Sequence, residues 1–243
     1  SQTAARRIFR QAAVFTIHTE RGMHMYWPEE ALCAIFDMDG TILDSMGLWE
    51  EIDIRFLEKR GISYTPDYGE AMKTKGFLEG ARYSIERFHL SDTPESIVRE
   101  WNAMAEEAYQ HHLQLKPGAK VYLTALKKKG IPIALATVSP PQFYRPALTA
   151  GQVIDLFDFL ADASIVGGKK DGPALYLHVA EQLGMLPAHC LVFEDTLHAL
   201  RGALQGGFLT CAVYDPYSEA QWEQMCQEAR FILTDFEEGP RQI

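Results

Sequence analysis

Residues 32–45 read Leu-Cys-Ala-Ile-Phe-Asp-Met-Asp-Gly-Thr-Ile-Leu-Asp-Ser. Five apolar residues run without a break into Asp37, a second carboxylate follows at Asp39, and Gly40 then permits a sharp turn. An unbroken apolar run of this length suits a strand buried on both faces, as in a parallel sheet covered by helices. Ligands of such sheets bind beyond the carboxyl ends of the strands, where Asp37 and Asp39 fall. Two carboxylates so close must repel each other or share a cation. A capped turn is the plainer alternative, since Asp and Gly are common after strands.

The same pattern recurs downstream. Apolar runs at 131–139 (IPIALATVS), 157–163 (FDFLADA), 190–195 (CLVFED), 209–215 (LTCAVYD) and 231–236 (FILTDF) alternate with amphipathic stretches near 118–129, 142–150, 172–184, 197–205 and 217–229. Strands alternating with helices predict an α/β fold, a doubly wound parallel sheet with right-handed crossovers. Gly130, and Gly206 with Gly207, supply helix stops before two of these runs. Between the first and second runs, helical spacing dominates instead, as in Trp49, Ile52, Phe56 and Leu57 and again in Ile97, Trp101, Met104 and Ala108. An all-α cap over 47–114 is therefore expected, inserted into a core of 30–46 and 115–243, with 1–29 as an N-terminal extension. The extension carries Arg6, Arg7, Arg10 and Arg21 and is given no function.

Composition bounds the chemistry. The 243 residues are 47% hydrophobic and 23% charged, with a formal net charge of −10. That balance speaks against a nucleic-acid polymer or an anionic membrane as partner, because phosphate backbones reward Lys and Arg. No apolar run reaches the roughly 18 residues that a membrane span needs. Cys33, Cys190, Cys211 and Cys226 form no C-x-x-C pair and match no zinc spacing. Free thiols in apolar runs fit a reducing cytoplasm, and a monomer is the default expectation.

Other strand ends carry polar groups. Thr137 and Ser139 offer hydroxyls to an anion, although Ser139 precedes Pro140-Pro141 and suits a helix cap. Glu194 and Asp195 are adjacent, and as hard oxygen donors suit Mg²⁺, but they could also cap the next helix. Lys169 and Lys170 lie in a glycine-rich loop, where lysines are commonly just solvated.

Taken together, these segments resemble the haloacid dehalogenase-like superfamily, in its phosphatase and phosphomutase branch with a helical cap, over about residues 30–236. FDMDGT (36–41) matches the first motif, Thr137 the second, and Glu194-Asp195-Thr196 the fourth. For the third, a lysine followed as K-P-x-P-D-x-F/Y, placing Tyr176 on the aromatic selects Lys170 over Lys169 and Pro173 as the second proline. Asp171 and Ala174 depart from that pattern.

The resemblance implies a Mg²⁺-dependent phosphatase acting on a small phosphorylated metabolite. Asp37 is the implied nucleophile, forming an aspartyl-phosphate, and Asp39 the acid and base. The implied metal partners are Asp37, the Asp39 carbonyl, Asp195 and Glu194, the last directly or through water. Lys170, Thr137 and amides near Met38 and Val138 would hold the phosphoryl oxygens. Lys75-Gly76 is the candidate cap turn facing the substrate, with Lys73, Glu79 and Arg82 as neighbours. A sugar-phosphate mutase is the alternative, but Trp49 stands where such mutases carry a histidine. A catalytically idle binding protein on the same fold is a third reading.

Overall fold

The computed structural model describes residues 14–18, 24–72, 75–168, 170 and 172–242. Lys73, Lys169 and Asp171 lie outside the described residues, as do Arg6, Arg7, Arg10 and Arg21. The described residues open with an antiparallel ribbon of β1 (Val14–His18) and β2 (His24–Pro28). The strand that opened the sequence reading is β3 (Cys33–Phe36), and a two-residue β4 (Leu43–Asp44) follows. Four helices come next: α1 (Leu48–Glu58), α2 (Pro66–Met72), α3 (Phe77–Phe88) and α4 (Pro94–His111). The chain returns through β5 (Gln114–Leu115), α5 (Ala119–Lys128), β6 (Ile133–Thr137), α6 (Pro141–Ala150) and β7 (Phe159–Asp162). It ends with α7 (Ala174–Gln182), β8 (Cys190–Glu194), α8 (Leu197–Gln205), β9 (Leu209–Val213), α9 (Glu219–Glu228), β10 (Phe231–Leu233) and β11 (Arg241–Gln242).

The main sheet runs β11-β10-β9-β8-β3-β6-β7, parallel except for β11. The doubly wound α/β architecture is present, with β3 central. From β3 the chain builds outward to β6 and β7, then returns to lay β8, β9 and β10 on the other side. This reversal puts the ends of β3, β6 and β8 side by side at the switch point, where open α/β sheets bind ligands.

Alternation along each strand explains the continuous apolar runs. Ala34 and Phe36 of β3, Ile133 and Leu135 of β6, and Leu191 and Phe193 of β8 enter one core. Cys33, Ile35, Ala134, Ala136, Cys190 and Val192 enter a second core on the opposite face with Leu175, Tyr176 and Val179 of α7. Both faces are covered, so neither parity can be polar. Phe36 stacks on Phe193 with centroids 4.3 Å apart, tying the two central strands just below their carboxyl ends.

Three features depart from the sequence reading. The insertion is bounded by a short antiparallel pair, Leu43↔Leu115 and Asp44↔Gln114, where no strand was expected; two residues are too few to show a period. The strand expected over 231–236 stops at Leu233. Trp27, in a segment given no role, is fully buried, donates from Nε1 to the Ala31 carbonyl at 2.8 Å, and stacks on Phe193 at 6.4 Å.

Candidate active site

Asp37 is the first residue beyond β3, and its amide donates to the Phe193 carbonyl at 3.1 Å. The chain then folds back tightly. The amides of Thr41, Ile42 and Leu43 all donate to the Met38 carbonyl, and the Gly40 amide to the Leu43 carbonyl. Gly40 takes φ +79°, where a Cβ is strained, which is why glycine closes this loop.

The turn brings the first carboxylates against the tip of β8. One oxygen each from Asp37, Glu194 and Asp195 lies within 4.8 Å of the others, and all three residues are buried. Lys170 enters from the loop before α7. Its Nζ donates to Asp37 Oδ1 at 2.6 Å and to the Ala136 carbonyl at 2.6 Å, and it pairs with Glu194 Oε1. Tyr176 OH donates to that Glu194 oxygen at 2.5 Å. Thr41 Oγ1 donates to Asp195 Oδ1 at 3.1 Å, while Asp195 Oδ2 is buried with no hydrogen-bond partner.

The electrostatics follow from crowding. Burial pushes the Asp37 carboxyl up, and Lys170 opposes it. Burial likewise raises Glu194 to about 7 against the pull of Lys170, with Asp37 adding to the rise. Asp195 is raised well above the usual range by burial and by Asp37 and Glu194. Lys170 is raised because the two neighbouring acids outweigh its desolvation. Among the described residues, three carboxylates crowd one lysine ammonium there, so ionising all three together calls for further positive charge. An all-oxygen donor set with that need and an orphaned oxygen fits a hard divalent cation.

Thr137, at the end of β6, is buried, and its Oγ1 accepts from the Ser139 amide at 3.0 Å, which leaves its proton available. Val138 is exposed beside it. Asp39 faces a different set of partners, the hydroxyls of Ser45, Tyr109 and Ser139. Ser139 is therefore no helix cap; Pro140 holds that position without a side-chain bond. Tyr109 carries no signal in the sequence, because it lies on a buried helix face 70 residues from Asp39. Lys75 is paired within the insertion, 3.7 Å from Glu79 and 5.2 Å above the Tyr83 ring. A cavity of about 470 Å³ lies elsewhere, lined by His111, Lys116, Gly118 and Ala147, and includes none of the cluster residues.

A family model for haloacid dehalogenase-like hydrolases matches residues 32–207. Hexitol phosphatase B of Escherichia coli (strain K12) is 28% identical over 217 residues, 87% of this chain and 93% of that protein. A phosphorylated carbohydrates phosphatase of Thermotoga maritima is 31% identical over 176 residues, 71% of this chain and 80% of that protein. Among solved structures, one from Thermotoga maritima with the provisional designation beta-phosphoglucomutase superposes with a TM-score of 0.73 at 26% identity. It covers 84% of this chain and 94% of its own.

Proposed function

The chain belongs to the haloacid dehalogenase-like hydrolase family, and from that premise we propose that it is a magnesium-dependent phosphatase that hydrolyses a small phosphomonoester, a sugar phosphate or similar metabolite, through an aspartyl-phosphate on Asp37. The observation that carries this reading is the convergence of Asp37, Lys170, Glu194 and Asp195 around one buried point, with the Asp39 carboxylate held by three hydroxyls. A halide leaves without a proton, whereas an alkoxide needs one, so a second carboxylate that accepts from three hydroxyls and can carry a proton suits phosphate esters.

In the first half-reaction an Asp37 oxygen bonds to phosphorus as the ester oxygen departs, and Asp39 delivers the proton to that oxygen. In the second, Asp39 takes a proton from water, which attacks phosphorus and frees Asp37. Lys170 and the Thr137 hydroxyl hold phosphoryl oxygens, with the Met38 and Val138 amides. Mg²⁺, held by Asp37, Glu194, Asp195 and the Asp39 carbonyl, would supply positive charge against the phosphoryl oxygens and offset repulsion between two anions. The hexitol and carbohydrate phosphatases among the relatives support the substrate class.

Residues 47–114, with α1–α4, are read as a cap over a core of 30–46 and 115–243, and 1–29 as an extension. Lys75-Gly76 then belongs to a cap turn near the substrate. Hydrolysis is favoured over a mutase because Trp49 packs on Phe77, centroids 5.2 Å apart, where a histidine would serve a mutase. The net charge speaks against a nucleic-acid or anionic-membrane partner, the four free thiols support a reducing cytoplasm, and a monomer is the default; among the described residues, no helix is long and apolar enough to cross a membrane.

A phosphomonoester panel with Mg²⁺ tests this, with Asp37→Asn as the blank. Release of inorganic phosphate by wild type alone is the expected result. Isomerisation of a sugar 1-phosphate without phosphate release would favour the mutase, and an inert wild type would overturn both.

A further inference from the structure

Three hydroxyls from separate parts of the chain hold the Asp39 carboxylate. Ser45 Oγ, at the foot of the insertion, and Tyr109 OH, on α4, both donate to Oδ1 at 2.7 Å. Ser139 Oγ, beyond β6, donates to Oδ2 at 2.6 Å. Tyr109 is buried, and its ring lies flat on Phe143 of α6, with centroids 4.9 Å apart and planes 4° from parallel. The phenol thus cannot leave Asp39 unless α4 lifts from α6, because close-packed rings do not slide freely. The hydrogen bond runs from the Tyr109 hydroxyl to the Asp39 oxygen, so the phenol is the donor of the pair.

These contacts leave the two oxygens unequal. Oδ1 is fixed by two donors, one on an immobile ring. Among the described residues, Oδ2 meets a single serine hydroxyl, which rotates and can accept as well as donate. That suits an oxygen alternately protonated and bare. We propose that Tyr109 is the positioning residue for Asp39: its phenol anchors Oδ1, leaves Oδ2 as the oxygen that passes the proton, and makes this arrangement conditional on α4 resting against α6. The inference depends on Asp39 being the acid and base, as read above. The proton goes from Oδ2 to the ester oxygen as the P–O bond breaks, and Oδ2 later regains one from the attacking water.

Tyr109→Phe keeps the ring and its stack on Phe143 and removes one oxygen. Single turnovers with enzyme in excess report the first half-reaction, followed as alcohol release. Two substrates are compared: an alkyl phosphate that the wild type hydrolyses, and 4-nitrophenyl phosphate, whose leaving group departs without a proton. The expected result is a loss of about tenfold to a hundredfold on the alkyl ester and less than about threefold on the aryl ester, a fraction of the roughly hundredfold to ten-thousandfold that a general acid supplies in full. Equal losses on both, or none on either, would overturn the proposal. Ser45→Ala removes the other donor to Oδ1 and should show the same leaving-group dependence, which keeps the test open if Tyr109→Phe folds poorly. Asp39→Asn separates the levels. If it shows no leaving-group dependence, the acid–base reading itself falls; if it does and Tyr109→Phe does not, only the positioning role is lost.

Discussion

A Cβ on Gly40 would lie 2.2 Å from Asp195 Oδ2, so the loop after β3 closes on the orphaned oxygen of the carboxylate beyond β8. Gly40→Ala therefore meets two penalties. A side chain at φ +79° costs about 1–2 kcal/mol, and Asp195 must also move. Mg²⁺ affinity by calorimetric titration should fall about tenfold or more, roughly the loss seen when groups supporting a metal site are disturbed. Affinity within twofold of wild type would show that this close approach does not set the site.

Lys170 is enclosed by Asp37, Glu194 and the Ala136 carbonyl. Lys170→Met would leave the acids facing one another without their internal cation. Removing one partner of a buried ion network costs about 3–5 kcal/mol. Thermal melts in a chelator should show the variant well below wild type. Added Mg²⁺ should raise its melting temperature more than it raises that of wild type, since the cation now replaces the lost charge as well. An equal rise in both proteins would argue against a shared electrostatic site.

The positions of Asp37, Thr137, Glu194 and Asp195 were legible because each ends an apolar run, and both faces of the central strands are covered. What sequence could not show is which side chains from other elements meet those ends. Tyr109 sits on a helix face that reads as core, and its hydroxyl finds Asp39 only once α4 lies on α6. Ser139 precedes two prolines and so imitates a cap, yet Pro140 occupies that place and frees the serine for Asp39. Local spacing carries strand ends; contacts between elements depend on packing that no short window contains.

Trp27 extends the structural unit toward the N-terminus. Its indole is fully buried on Phe193, the residue just before Glu194. Trp27→Ala should destabilise the protein by about 3–5 kcal/mol through cavity formation. Urea unfolding measures this, with an unchanged m-value expected. A loss under about 1 kcal/mol, the range of ordinary surface changes, would mean that this ribbon docks without supporting the core.

Asp53 of α1 gives the insertion its own pH response. Burial pushes its carboxyl up to about 7, and Glu50, one turn earlier, adds to the rise. Burial raises Tyr64 and Tyr68, with Glu50 and then Asp53 adding to the rise at Tyr64 and Asp53 adding to it at Tyr68, and both stay neutral. An unfolded aspartate titrates near 3.9, so between about pH 4 and 7 the folded state binds more protons than the unfolded one. Stability contributed at this site therefore falls as pH rises through that window. Below it both states are protonated and the penalty is absent; above it the penalty is complete. Asp53→Asn removes the titration. Allowing for solvent screening at a partly exposed group, the variant should exceed wild type by about 1 kcal/mol at pH 8, and the gap should close toward pH 4. Urea midpoints at pH 4, 6 and 8 decide it: a gap that stays constant across the three would place its origin in packing, not in the charge on Asp53.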